Sequence, residues 1–281
     1  MEQAGEACLL CGTTKKALLI RQDDWKVYRC LQCGLGVLEP RPNEEELDSL
    51  YRNSYFVTRY DEGAAPGTEA MRKRLSWEAH RIRFFRPFMK SGRILDVGSG
   101  RGYFLLACRE YGYEVEGFDV SEDAAEYVRN TLKIPVTTGK PSNGPYKDES
   151  FDVITMWHSL EHTENPRIYL DRAHRWLRPA GLLVVEVPNY LSTDALKYGK
   201  TWDGWSLPYH FFHFTPESLD ELLSQHGFEV IRRKSYHSEW VRDRLRRIPV
   251  VNLFARIIAK LFSGTGYAVV ARKVDFPQEK N

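Results

Sequence analysis

Arg93-Ile-Leu-Asp-Val-Gly-Ser-Gly-Arg-Gly102 decides how this chain folds, together with Asp119 at the end of the next apolar run, Val115-Glu-Gly-Phe-Asp119. Ile94, Leu95 and Val97 read as a short buried strand that runs straight into glycines at every second position. Glycines so spaced let a backbone turn tightly and let a ligand lie against bare main chain. The acid follows Gly100 by 19 positions, where the second strand of a doubly wound sheet would end. A carboxylate there reaches the two hydroxyls of a ribose. Strand, glycine turn, helix, strand and acid in this order ask for a nucleoside cofactor. A ligand-free glycine turn is the plainer alternative.

Dinucleotide sites favour G-x-G-x-x-G, which brings a helix N-terminus to a pyrophosphate. Here the run is Gly98, Gly100, Gly102, with Asp96 inside the strand. It resembles the first motif of class I S-adenosylmethionine-dependent methyltransferases. The resemblance implies that Asp96 and Gly98 lie near the methionyl part of the cofactor and that Asp119 holds the ribose. Ser99, Gly100, Gly102, Tyr103, Val120, Trp157 and His158 complete the implied cofactor contacts, His158 through its backbone. Related enzymes usually carry an acid after the third strand for the adenine amino group. Ile134-Pro-Val-Thr-Thr-Gly-Lys-Pro141 has none, so Thr138 or backbone groups are expected to substitute.

The rest of the chain alternates helices and strands. Residues 101–112 read as a helix with Phe104, Leu105 and Cys108 on one face, Cys108 being a core residue. Ser121 caps a second helix expected to run through Leu132. Phe151–Met156 and Leu182–Val187 read as strands around a helix from Asn165 to Leu177. Thr215-Pro216 starts another helix, and Phe228–Ile231 and Tyr267–Ala271 are the closing strands. Such alternation means an α/β fold with a mostly parallel sheet covered on both faces and ligands at the carboxyl ends of its strands. The resemblance makes that sheet Rossmann-like and seven-stranded.

Cys8-x-x-Cys11 and Cys30-x-x-Cys33, each followed by glycine, are spaced as in a four-cysteine zinc ribbon. Two disulfides or four buried thiols are the alternative, and iron is the chemical rival for the same cage. A closed four-thiolate site is structural, because it keeps no open coordination position. Residues 1–40 hold five acids and five bases, so the ribbon shows no basic face for nucleic acid. The 281 residues carry 40 basic and 38 acidic side chains, which writes no strong preference for a polyanion. The first residues lack the basic and apolar regions of a signal peptide, and no uncharged apolar run approaches the ~18 residues of a membrane span. A cytoplasmic protein is the expectation.

The linker Pro40-Arg-Pro-Asn43 and the aromatics Tyr51, Tyr55 and Phe56 resemble a subgroup of these methyltransferases with a leading ribbon, in which an N-terminal segment folds over the cofactor. The expected division is a ribbon over 1–40, a linker and lid over 41–67 and a methyltransferase domain over 68–281. Within the last, residues 188–214 hold eight aromatics around His210 and His213, a composition suited to an acceptor pocket. Family members often carry Leu-Glu-His where this chain has Leu160-Glu-His162, facing the transferring methyl. A neutral hydroxyl acceptor needs a base, so His162, His210 and His213 are the candidates.

The C-terminal stretch is the last signal. Arg242, Arg244, Arg246 and Arg247 precede a pattern of Val250, Leu253, Phe254, Ile257, Ile258 and Leu261 at helical spacing. One helix of about thirteen residues, ~20 Å long, is expected there. A basic cluster beside a wide apolar face suits the surface of a membrane, and packing on the body or a twin subunit is the alternative. The sequence thus points to a methyltransferase for a small or lipid- or glycan-linked acceptor. A zinc-ribbon RNA methyltransferase, with Arg72, Lys73, Arg74, Arg81, Arg83 and Arg86 as its basic strip, and a non-enzymatic cofactor-binding module are the rivals.

Overall fold

A computed structural model of the chain describes residues 7–42, 46, 65–141 and 144–275. Tyr51, Tyr55 and Phe56, expected to form the lid, lie outside the described residues. Seven strands form the main sheet: β4 (Arg93–Val97), β5 (Glu114–Asp119), β6 (Val136–Thr138), β7 (Phe151–Trp157), β8 (Leu177–Pro188), β10 (Phe228–His237) and β11 (Ser263–Lys273). Their order is β6-β5-β4-β7-β8-β11-β10. The pairs from β6 to β8 are parallel, and β11 runs antiparallel to both neighbours. The chain moves outward from β4 to β6 and then returns to β7 on the other side. That reversal opens a crevice at the carboxyl ends of β4 and β7, where ligands of such sheets bind.

Helices cover both faces. Helix α1 (Glu69–Phe85), capped by the Thr68 side chain, and α2 (Tyr103–Glu110) pack on one side. Ile82, Phe85, Ile94, Phe104 and Cys108 share a core there. Ser121 caps α3 (Glu122–Tyr127) as expected, but the helix does not run on as α to Leu132. It loosens into a π turn over Val128–Leu132, closed by Lys133 at φ 54°. On the other face lie α4 (Pro166–Trp176), capped by Asn165, and α6 (Pro216–Gln225). Thr215 and Ser218 form a reciprocal capping box at the start of α6, with Pro216 at the first helical position. Between them comes the short α5 (Thr193–Tyr198).

The N-terminal strands β1 (Lys16–Gln22), β2 (Trp25–Cys30) and β3 (Gly36–Leu38) form an antiparallel sheet. Its fourth strand is β9 (Phe212–His213), taken from the 188–214 segment, with Gly36 opposite His213 and Val37 opposite Phe212. A Cβ on Gly36 would lie 2.9 Å from His213 Cβ, so the close pairing itself requires glycine. Leu10, Ile20, Val27, Leu35 and Leu38 join the same apolar core as Leu170, Leu219 and Phe214. The Gln225 amide and the Tyr190 hydroxyl donate to the carbonyls of Leu10 and Gly34.

The expected single helix near the C-terminus is broken. Helix α7 (Glu239–Leu245) ends before Pro249, and Val250 takes φ 71°. A 3₁₀ turn over Val251–Phe254 then leads into a short α8 (Ala255–Ala259). Val250, the first residue of the expected helix, takes a positive φ after a proline and stays outside it, and the next four residues wind as 3₁₀, so only Ala255–Ala259 is α-helical. Among the described residues, no helix is long and apolar enough to cross a membrane.

Candidate cofactor and acceptor site

The glycine loop leaves β4 at the crevice. The amides of Gly98 and Ser99 donate to the Phe118 carbonyl at 2.7 and 3.3 Å, which ties the loop to β5. Gly98 sits at φ 82°, and a Cβ there would meet Ser159 Cβ at 2.5 Å. Left-handed backbone and close approach both require glycine. Asp119, at the tip of β5, organises the loop from the other side. Its Oδ2 accepts from the Gly100 amide at 2.7 Å and its Oδ1 from the Ser121 amide at 2.9 Å. Burial raises the pKa of Asp119, and those amides oppose the shift.

Asp96 is buried under the loop and accepts from the Thr155 hydroxyl at 2.6 Å. Burial pushes its carboxyl up to about 7, against the lowering by Thr155. The sign for stability follows. Below pH 3.8 both folded and unfolded chains hold the proton; from there to about 7 the folded chain holds it more firmly. Asp96 therefore costs stability progressively as pH rises through that window, and the cost is constant above it. Chemical denaturation of the wild type and of Asp96→Asn across pH 4–8 should show the difference between them shift against the wild type up to about pH 7 and then level off. A difference independent of pH would contradict the buried acid.

Several features fit a nucleoside cofactor in this crevice. Ser99 Oγ and Trp157 Nε1 are buried without a hydrogen-bond partner, a costly state unless a ligand supplies one. Val120, next to Asp119, leaves 60% of its surface exposed. Trp157, at the end of β7, is held by Phe104 at 5.4 Å and by the Arg81 guanidinium at 4.9 Å. Tyr103 opens α2 with Arg74 over its ring. The Thr138 hydroxyl donates to Glu122, so this side chain is already engaged.

His158 takes φ 53°, unusual for a side chain with a Cβ, and its ring bridges two buried carboxylates. Nδ1 lies 3.2 Å from Glu161 Oε1 and Nε2 lies 2.9 Å from Glu186 Oε1. Burial disfavours the imidazolium, but the two carboxylates outweigh it and raise His158 to about 10. Burial likewise pushes Glu186 up, yet its partners bring it down to about 2. Tyr236 donates to the other oxygen of Glu186 at 2.7 Å. Glu161, present in the sequence only as the middle of Leu160-Glu-His162, and Glu186 were not among the expected site residues. A charge inside Leu182-Leu-Val-Val-Glu-Val187 was the available signal, because a buried strand tolerates a carboxylate only with a partner.

His162, His210 and His213 come together from two segments. His162 ends the 3₁₀ turn Leu160–His162 after β7, and the Phe211 amide donates to the Glu161 carbonyl, which draws the second segment alongside. The rings of His162 and His210 stand edge to face at 4.5 Å, and those of His210 and His213 are 6.2 Å apart. Trp205 closes over His213 at 5.3 Å. Burial lowers His210 well below its usual range and His213 to about 3, so both are neutral imidazoles.

The four cysteine sulfurs lie within 4.8 Å of one another. Cys8 and Cys33 are 3.5 Å apart and Cys11 and Cys30 are 3.4 Å apart, unbonded. Zinc–sulfur bonds of ~2.3 Å set tetrahedral S···S separations near ~3.8 Å. Gly12 at φ 74° and Gly34 at φ 77° turn each knuckle back. Burial pushes the Cys30 thiol up, but the Cys33 and Gln32 amides outweigh it and bring it to about 7. This donor set fits a tetrahedral ion of the zinc kind.

Residues 69–233 match the family model described as a methyltransferase domain. The chain belongs to this methyltransferase family. Its methyltransferase fold is shared with a SAM-dependent methyltransferase of Archaeoglobus fulgidus, a structure that superposes with a TM-score of 0.56 at 26% identity over 71% of this chain and 94% of that one. A protein described as a probable S-adenosylmethionine-dependent methyltransferase of Mycolicibacterium smegmatis is 26% identical over 193 residues, 68% of this chain and 66% of the relative. The ubiquinone biosynthesis O-methyltransferase of Ruegeria pomeroyi is 27% identical over 165 residues, 54% and 65% of the two chains. The chain spans between about half and just under two thirds of the length of curated relatives that it matches. The family supports S-adenosylmethionine as the occupant of the glycine-loop crevice.

Proposed function

We propose that this chain is an S-adenosylmethionine-dependent methyltransferase that methylates a hydroxyl of a small or lipid-linked acceptor, and that a zinc ion on Cys8, Cys11, Cys30 and Cys33 is its scaffold. The observation that carries the reading is the cluster of His162, His210 and His213 just past Trp157, on the same edge of the sheet as the glycine loop. S-adenosylmethionine supplies a methyl group on a sulfonium, transferred by in-line attack. Asp119 and the Gly98–Gly102 loop bind the cofactor, and Asp96 lies beneath its methionyl part. The aromatic wall of Tyr190, Trp202 and Trp205 excludes water from the acceptor, and the imidazole cluster receives its hydroxyl. His162 is the least buried of the three and is the first choice for the proton. A base of this kind contributes ~10²–10⁴ in rate. The name of the Ruegeria relative, an O-methyltransferase, agrees with an oxygen acceptor.

An exposed surface favours a lipid-linked substrate. Val250, Leu253, Ile257 and Leu261 are exposed, Leu261 by 82%, beside Arg256 and Lys260. They follow β10, which runs parallel to β8 and ends on the carboxyl edge of the sheet, so an anionic bilayer touching them would face the catalytic edge. RNA fits less well: Arg72 pairs with Glu69, and Arg81 with Glu78 and the Trp157 ring. Methyl-labelled S-adenosylmethionine, purified protein and fractionated source-cell extract test the reading. Label in the lipid or small-molecule fraction is the expected result, falling ~10²–10⁴-fold with His162→Ala while cofactor affinity holds. Label confined to RNA would overturn it.

A further inference from the structure

We propose that Glu161, His162 and His210 hold a divalent first-row transition-metal ion, at a site separate from the four-cysteine cluster. One carboxylate oxygen of Glu161 and one ring nitrogen from each histidine lie within 4.8 Å of one another, so a single ion can reach all three. The carboxylate is fully buried. Its Oε1 faces His158, but its Oε2 is buried with no hydrogen-bond partner. Pairing with His158 accounts for the first oxygen only. Leaving the second bare in a dry interior costs more than folded proteins usually tolerate, and a cation removes that cost.

The histidines are oriented for ligation. Nδ1 of His162 lies 2.9 Å from the Tyr209 carbonyl oxygen, and Nδ1 of His210 lies 2.9 Å from the Gly204 carbonyl oxygen. A carbonyl only accepts, so each Nδ1 carries the proton and the lone pair of the neutral ring is on Nε2. Metal-bound imidazoles are held in this way by a backbone carbonyl behind the ring. Two imidazoles and one carboxylate leave coordination positions open, which is the donor set of catalytic and not of structural ions. Magnesium and calcium, which prefer all-oxygen shells, suit it less.

The role of this ion, though not its binding, rests on the acceptor reading above. An open position takes the acceptor oxygen, and an oxygen bound to such an ion gives up its proton to solvent near neutrality. With the ion bound, the part of His162 changes from taking the proton itself to holding, with His210, the ion that acidifies the acceptor oxygen, and the acceptor binds through the ion.

Cobalt(II) titration of the full chain separates the two sites, because thiolate ligands give intense charge-transfer absorption and a carboxylate–imidazole site gives only weak d–d bands. Two equivalents are expected, the second without the thiolate signature. Glu161→Gln, which keeps shape and volume, should lose the second equivalent and keep the first, and His210→Ala should do the same. The retained thiolate signal reports that each variant is folded, and cofactor affinity measured in parallel shows whether the crevice is intact. Saturation at one equivalent in the wild type, or a second equivalent that survives in Glu161→Gln, would overturn the site without touching the methyltransferase reading.

Discussion

Replacing Cys30 with serine is expected to lower the thermal midpoint by at least ~10 °C and to abolish methyl transfer. A structural zinc contributes on the order of 10 kcal/mol of apparent binding free energy to its fold. The ribbon also buries Val27, Leu35 and Leu38 in the common core, at ~1.5–3 kcal/mol for each side chain. For a chain of this size, 1 kcal/mol moves the midpoint by ~2–4 °C, so loss of even part of this packing is a large shift. The damage reaches catalysis because Gly36 and Val37 pair with His213 and Phe212. Without β3, the segment carrying His210 and His213 loses the strand that holds it. Calorimetry and zinc content of the purified variant, with turnover in parallel, check this. The variant is preferred to a chelator, which would strip every bound ion. An unchanged midpoint and turnover would show the ribbon to be dispensable.

Asp119→Ala is expected to weaken S-adenosylmethionine binding by about 100-fold, which is ~2.7 kcal/mol. Two effects add. The variant loses the carboxylate that would bind the ribose hydroxyls, and it frees the amides of Gly100 and Ser121 that this carboxylate now holds. Hydrogen bonds to a charged partner contribute ~1.5–3 kcal/mol each. Because the histidine cluster lies elsewhere, turnover at saturating cofactor should largely recover, so the loss appears in the cofactor KM and not in kcat. Titration calorimetry with S-adenosylmethionine measures it directly. Wild-type affinity in Asp119→Ala would remove Asp119 from the cofactor site.

Much of the cofactor side was legible because its determinants are local. A strand, three glycines and an acid at the next strand end describe one β-α-β unit, and each residue's place in it follows from short-range geometry. The cysteine pairs are legible for the same reason, as each knuckle closes within a few residues. Ser121 and Thr215 cap their helices as the sequence reads, and Asn165, read as the first residue of its helix, is the cap one position before it. The failures are equally physical. The helix expected to reach Leu132 relaxes into a π turn, and the one expected from Val250 to Leu261 starts late, with Val250 left-handed and Val251–Phe254 wound as 3₁₀ before Ala255–Ala259. Neither departure changes hydrophobic periodicity, which was the only local signal available.

From its sequence alone, this chain determined a glycine-loop crevice with an acid at its rim, an alternating α/β sheet, a four-cysteine cluster and a short list of histidines. Only the tertiary structure decided that β9 completes the ribbon sheet, that His158 is clamped between Glu161 and Glu186, and that Glu161, His162 and His210 converge. Motifs within one turn or one β-α-β unit are specified by local dihedral preferences and spacing. Contacts between distant segments depend on register and packing, which the order of residues along one segment does not encode.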